Sequence, residues 1–242
     1  MNPSETPLSV VRAILDRVLD AAFPARCAGC GREGPPLCRS CLPALDARLD
    51  LPAGVPLGLP AEIPVPLLQL EWCAPFRGIV RDALHRLKYA GERRLAEPLG
   101  MAAARRWERA GVGADLVMHV PVHAERARAR GYDQAELVAR VAARHLDLPF
   151  AAGLVRVRAT TAQFDLDRAD RAANVAGAFA IAGAGSSRVG DGRVRPGADV
   201  RGRWVLLVDD VMTTGATLAA CAGVLEAAGA MAVSAVTIAR ER

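Results

Sequence analysis

Two C-x2-C pairs, Cys27-Ala-Gly-Cys30 and Cys38-Arg-Ser-Cys41, stand seven residues apart in the chain. Four thiolates at that spacing can close a tetrahedron, and Zn²⁺ accepts four soft ligands without redox cost. Such a site has no open position, so its chemistry would be structural: it would let about twenty residues fold with almost no core. Gly29 and Gly31 are read as supplying the positive φ that knuckles of this kind need. Two disulfides, a redox C-x-x-C or an iron–sulfur cluster are the alternatives that the residues leave open. Disulfides are disfavoured because the N-terminus lacks the cationic start of a secretory signal. Cys73 and Cys221 stand alone and read as buried apolar side chains.

A second constellation lies at Val205-Leu-Leu-Val-Asp-Asp-Val-Met-Thr-Thr-Gly-Ala-Thr217. Four apolar residues predict a buried strand. Asp209 and Asp210 follow, and a bend of small hydroxyl residues opens a helix. Ligands of open α/β sheets bind beyond the strand C-termini. The amides and positive dipole at a helix start suit a phosphate. Thr213, Thr214 and Thr217 add hydroxyl donors, and Gly215 lets a ligand approach the backbone. The two carboxylates are placed to accept hydrogen bonds from a ribose diol, directly or through Mg²⁺. The bland alternative is a strand–helix turn with a Thr N-cap, but two adjacent carboxylates at a buried strand end are costly without a partner. No Gly-Lys-Ser/Thr follows, so this is not a Walker loop.

Arginines supply the third signal. Arg126, Arg128 and Arg130 alternate in a presumed loop, with Glu125 as the acid beside them. Guanidinium forks match phosphate oxygens, and a solvated basic loop is the alternative. Asp133 is read as the N-cap of a following helix. The stretch 156–174 is too long and polar for a packed turn, and carries Arg158 and Gln163. Lys88 is the only lysine among 31 basic residues, which draws attention to its place at a helix end.

Elements to position these groups are legible in the apolar spacing. Residues 8–19 predict an amphipathic helix, and residues 50–66, with five prolines, an extended linker. Beyond Leu67, helices near 79–90, 95–107, 135–146 and 215–228 alternate with strands at 116–120, 154–157, 204–208 and 233–238. That rhythm argues for a parallel sheet with crossover helices. Residues 182–203 are Gly-, Ser- and Arg-rich and read as an aperiodic surface insert. We therefore divide the chain into residues 1–48 (leading helix and cysteine module), 49–66 (linker) and 67–242 (an α/β domain). With 242 residues, 52% apolar and 24% charged, the chain is neither disordered nor a disulfide-dense mini-protein. No run of 18 apolar residues exists, so no membrane span is expected and a cytoplasmic location follows. A net charge of +5 does not by itself imply nucleic acid.

The segment 205–217 resembles the phosphoribosyl-pyrophosphate (PRPP) motif of type I phosphoribosyltransferases. The order of the other motifs sharpens the likeness. The cysteine pairs precede Leu87-Lys-Tyr-Ala-Gly91, then Val120-Pro-Val-His123, Arg130-Gly-Tyr-Asp-Gln-Ala-Glu-Leu137, Arg158-Ala-Thr-Thr-Ala-Gln163 and Arg171-Ala-Ala-Asn-Val-Ala-Gly-Ala-Phe179. This is similar to the ComF/GntX family, a phosphoribosyltransferase-like group tied to natural competence and use of external DNA. The pattern departs from expectation at Tyr132-Asp133, where Phe-Asn is expected. The resemblance implies a type I phosphoribosyltransferase-like parallel sheet with helices on both faces, plus the small cysteine module. It places PRPP on Asp209, Asp210, Val211, Met212, Thr213, Thr214, Gly215, Ala216 and Thr217, with its pyrophosphate on Arg126, Arg128 and Arg130 and Lys88 nearby. Mg²⁺ would accompany PRPP, and Arg158 and Gln163 would belong to a lid that excludes water during transfer. Asp209, Asp210, Arg158 and Gln163 are thus the candidates for catalysis. The resemblance also raises a non-catalytic role: a single-stranded DNA binder, or an adaptor for a competence helicase or another DNA-processing protein.

Overall fold

The computed structural model describes residues 26–54, 64–157, 177–182, 187–188, 194–195 and 199–241. The predicted leading helix, most of the lid segment (Arg158 and Gln163 included) and the middle of the linker lie outside these residues. Four parallel strands form the sheet: β1 (Gln69–Pro75), β2 (Leu116–His119), β7 (Trp204–Met212) and β8 (Ala232–Arg240), in the order β1-β8-β7-β2. Helices α1 (Gly78–Tyr89) and α2 (Ala96–Ala110) carry the chain from β1 to β2, and α5 (Ala216–Ala227) returns it from β7 to β8. Between β2 and β7 come α3 (Ala124–Arg130), α4 (Gln134–His145), an antiparallel pair β3 (Leu154–Arg156) and β4 (Phe179–Ile181), and a two-stranded ribbon β5 (Ser187–Arg188) and β6 (Val194–Arg195). The ribbon sits where an aperiodic insert was expected. No helix among the described residues is long and apolar enough to cross a membrane.

Helices cover both faces of the sheet, as the strand pattern requires. Val205 and Leu207 of β7 pack with Leu218, Cys221 and Leu225 of α5. Their neighbours Leu206 and Val208 face Leu84 and Leu87 of α1, Leu99 and Trp107 of α2 and Val138 and Ala142 of α4. Helices α2 and α4 meet at Gly100, where an added Cβ would lie 2.7 Å from the Val138 carbonyl oxygen. Gly100→Ala is therefore expected to lower stability by about 1–3 kcal/mol through overpacking, read as a fall in the urea midpoint. The contact is backbone to helix, so the neighbours have little room to yield.

Strand β1 was not anticipated. Its residues are buried along most of its length, so no alternation marks it, and two of them are polar. Glu71 is fully buried and accepts from Arg106 Nε (3.0 Å), Gln69 Nε2 (3.1 Å) and the Gly54 amide (2.7 Å), with Arg48 Nη2 at 3.5 Å. Arg106 donates onward to the carbonyls of Leu51 (2.7 Å) and Pro52 (3.2 Å). The Arg48 guanidinium lies 3.7 Å from the centre of the Trp72 ring. This buried network fastens residues 48–54, the end of the predicted cysteine module and the start of the predicted linker, onto β1 and α2.

Candidate functional site

The four cysteine sulfurs lie within 4.8 Å of one another, with Cys30 and Cys38 Sγ 3.7 Å apart. Tetrahedral Zn–S bonds of about 2.3 Å put sulfurs about 3.8 Å apart, so this donor set fits the ion. The knuckles are held by the amides of Gly31 (to Cys27 O, 2.9 Å) and Leu42 (to Cys38 O, 3.0 Å). Burial pushes the Cys27 thiol up, but the amides of Cys38, Cys30 and Gly29 outweigh it and hold the thiol at about 6. Burial and the neighbouring sulfurs push Cys41 up to about 12. One cation shared by four sulfurs removes that crowding. Gly31 has the expected positive φ of 71°. Gly29 is needed for a different reason from the expected one: a Cβ there would sit 2.7 Å from Cys41 Sγ. The module is also not coreless, because Leu37 and Leu45 belong to the same apolar core as α1 and α2.

At the other site, β7 runs four residues further than predicted, through Asp209 and Asp210 to Met212. The carboxylates therefore sit within the strand, and successive side chains of a strand point to opposite faces. Asp210 is 5% exposed and turns to the α1/α4 side. Its Oδ1 pairs with Lys88 Nζ at 3.1 Å, and its Oδ2 accepts from Gln134 Nε2 at 2.9 Å. Asp209 is half-buried on the side of Arg156 and Cys221. Burial first, then the Asp210 charge, raises its carboxyl well above the usual range. Side chains on opposite faces are not placed to chelate one cation together, so a single carboxylate would hold Mg²⁺ where a ligand brings phosphates.

After Met212 the chain turns through Thr213 and Thr214 to Gly215, which takes φ 81° and starts α5 without a side-chain cap. The Ala216 amide points at Thr214 Oγ1 from 3.4 Å. A Cβ at Gly215 would meet Pro64 Cγ at 2.8 Å, so the turn accepts glycine alone without adjustment. Val211 and Met212 are partly or fully buried strand residues, and Ala216 and Thr217 form the first turn of α5.

A cleft of about 750 Å³ is lined by Lys88, Tyr89, Gly91, Arg126, Ala129, Arg130 and Tyr132, and Lys88 ties it to Asp210. Residues 124–130 are helix and not loop, which changes the reading of the arginines. Positions four apart share a helix face, and positions two apart do not. Arg126 and Arg130 accordingly line the cleft, while Arg128 is exposed outside its lining. Arg130 donates to Gln134 Oε1 (2.7 Å) and stands 4.9 Å from the Tyr89 ring centre. Tyr132 donates its hydroxyl to the Leu87 carbonyl and stacks under Arg93 at 4.6 Å. Asp133 caps α4 as expected: its Oδ1 takes the amides of Ala135 (2.9 Å) and Glu136 (3.2 Å), and its Oδ2 that of Val122 (2.9 Å). Its carboxylate, also 3.7 Å from His119 Nε2, is thus spent largely on backbone where the motif departs from the family pattern. Sequence reasoning missed Gln134, whose amide joins Arg130 to Asp210. An uncharged residue just after an N-cap carries no signal of its own.

The model of the phosphoribosyl transferase domain family matches residues 133–242. Over those residues the chain is similar to phosphoribosyl transferase domains. That match begins at the cap of α4 and includes Gln134, Asp209, Asp210 and the turn to α5, while Lys88, Arg126 and Arg130 precede it. The likeness to curated proteins extends beyond that match. The DNA utilization protein YhgH of Escherichia coli K12 is 28% identical over 215 residues, 86% of this chain and 85% of that one. Competence protein F of Haemophilus influenzae is 35% identical over 105 residues, 43% of this chain and 41% of its own. Among solved structures, a glutamine PRPP amidotransferase from B. subtilis, complexed with ADP and GMP, is 23% identical with a TM-score of 0.37 over 59% of this chain. The phosphoribosyltransferase-like chain spans about a quarter of that enzyme's length.

Proposed function

We propose that this protein binds PRPP, or another ribose or deoxyribose phosphate, at the C-terminal end of β7, and that it serves DNA uptake or competence in the cytoplasm. The observation that carries the reading is a carboxylate strand end that runs into a helix start and, through the Asp210–Lys88 pair, meets a cationic cleft. The amides of 213–217 receive the 5-phosphate, with Thr213, Thr214 and Thr217 as hydroxyl donors. Asp209 and Asp210, one from each side of the strand, offer acceptors to the ribose hydroxyls. Arg126, Arg130 and Lys88 take the pyrophosphate. Mg²⁺, when bound, would neutralise phosphate charge. Transfer at such a site would draw on positioned charge rather than on a covalent nucleophile. Arg158 and Gln163 are proposed for the closing segment.

Calorimetry tests this directly. PRPP with MgCl₂ should give saturable heat, and an Asp209→Asn/Asp210→Asn double variant should lose the part of it that exceeds the heat of pyrophosphate alone. No heat from the unaltered protein sinks the reading. The names of the relatives support a second one, a non-catalytic single-stranded DNA binder or an adaptor for a DNA-processing protein. Salt-dependent heat from an oligonucleotide, with none from PRPP, would favour it.

A further inference from the structure

Lys88 stands at a junction. Its ammonium is 3.1 Å from Asp210 Oδ1, yet the same side chain lines the cleft shared with Arg126 and Arg130. Its side chain is 19% exposed, and that of Asp210 only 7%. The carboxylate is therefore reachable chiefly by displacing the lysine from one oxygen. Its other oxygen is fixed separately by Gln134, whose own carbonyl is held by Arg130.

We infer that Lys88 is an exchangeable counter-ion: an anion entering the cleft draws the ammonium away from Asp210, and only then does Asp210 become an open acceptor for a sugar hydroxyl. This deepens the proposed reading by giving the site an order, polyphosphate before sugar, and it rests on the cleft taking the anionic part of the ligand. The electrostatics support the exchange. In the empty site the ammonium has one carboxylate, whereas a doubly charged anion between Lys88, Arg126 and Arg130 offers it more charge at similar exposure. Gln134 keeps Asp210 oriented meanwhile, because its amide needs both Arg130 and the carboxylate. The consequence runs against intuition. A carboxylate on the ligand-binding strand should oppose binding of the anion, because it competes for the lysine.

A single lysine makes the exchange visible. In the full chain carrying ¹³C/¹⁵N-lysine, one side-chain ammonium should appear in the NMR spectrum, and inorganic pyrophosphate should shift it. Asp210→Asn should show a displaced signal without ligand. It should also bind pyrophosphate about 5–10-fold tighter, as expected on releasing a largely buried ion pair. Glu226→Gln, an exposed carboxylate at the far end of α5, should change that affinity by less than about twofold. A lysine signal that stays put while pyrophosphate binds overturns the inference, and so does equal tightening in the two variants or absence of pyrophosphate binding. The titration of the unaltered protein decides the matter even where a variant fails to fold. Failure of PRPP alone, with pyrophosphate binding and lysine exchange intact, would instead overturn the proposed function.

Discussion

Glu71→Ala is expected to lower stability by about 3–5 kcal/mol, against a typical total of about 5–15. The loss does not measure the worth of one ion pair. Glu71 is the anion between two buried guanidiniums, Arg48 and Arg106, and it also receives the Gly54 amide and Gln69. Removing it leaves two positive charges in a site closed to water. Burial and the Arg106 charge already lower the Arg48 pKa. Glu71→Gln keeps the shape and one acceptor, so its loss should be smaller. Replacing Arg48 by Met together with Glu71→Gln should recover part of the alanine loss, because the number of uncompensated charges falls. Urea unfolding of the variants measures this. A shift below about 1 kcal/mol for Glu71→Ala would show that the network is not what holds residues 48–54.

Stripping metal from the cysteine cluster should cost as much or more. With a strong chelator, or with Cys41→Ser, the melting temperature is expected to fall by roughly 10 °C or more. The effect should not stay within the knuckles. Cys27, Leu37, Cys41 and Leu45 share a core with Leu84, Leu87, Leu99 and Trp107, so near-ultraviolet dichroism from the tryptophans should change along with the thiol absorbance. One zinc per chain by elemental analysis, and recovery on adding zinc back, are the matching expectations. A folded, unchanged protein after complete removal would refute a structural metal.

Much of this architecture could be read in the chain before its fold was known. Helices α1, α2, α4 and α5 declare themselves by apolar spacing, and Trp204 to Val208 by a continuous apolar run. What escaped reading did so for definable reasons. Strand β1 places Gln69 and Glu71 in the interior, where tertiary partners on β1, α2 and the 48–54 segment satisfy them, so hydrophobicity alone hides it. Helix α3 is seven residues long with four charges and no buried side chain, and its arginines therefore resembled a loop. That misreading matters at the site, because a helix separates Arg128 from Arg126 and Arg130. The carboxylate pair was recognised, but strand β7 continues past it, and pleating sends the two side chains to different sides. Residue types disclosed the chemistry, whereas the partition of charges between the faces depends on backbone geometry that adjacent letters do not record.

The shared core has a wider meaning for how this molecule is maintained. The cysteine knuckles act as a keystone under one side of the sheet. With zinc in the knuckles and a sugar phosphate in the cleft, as proposed, metal supply and the abundance of working sheet would be the same variable: a cell short of zinc would lose the pocket by never completing the wall behind it, though none of the four cysteines lines the cleft.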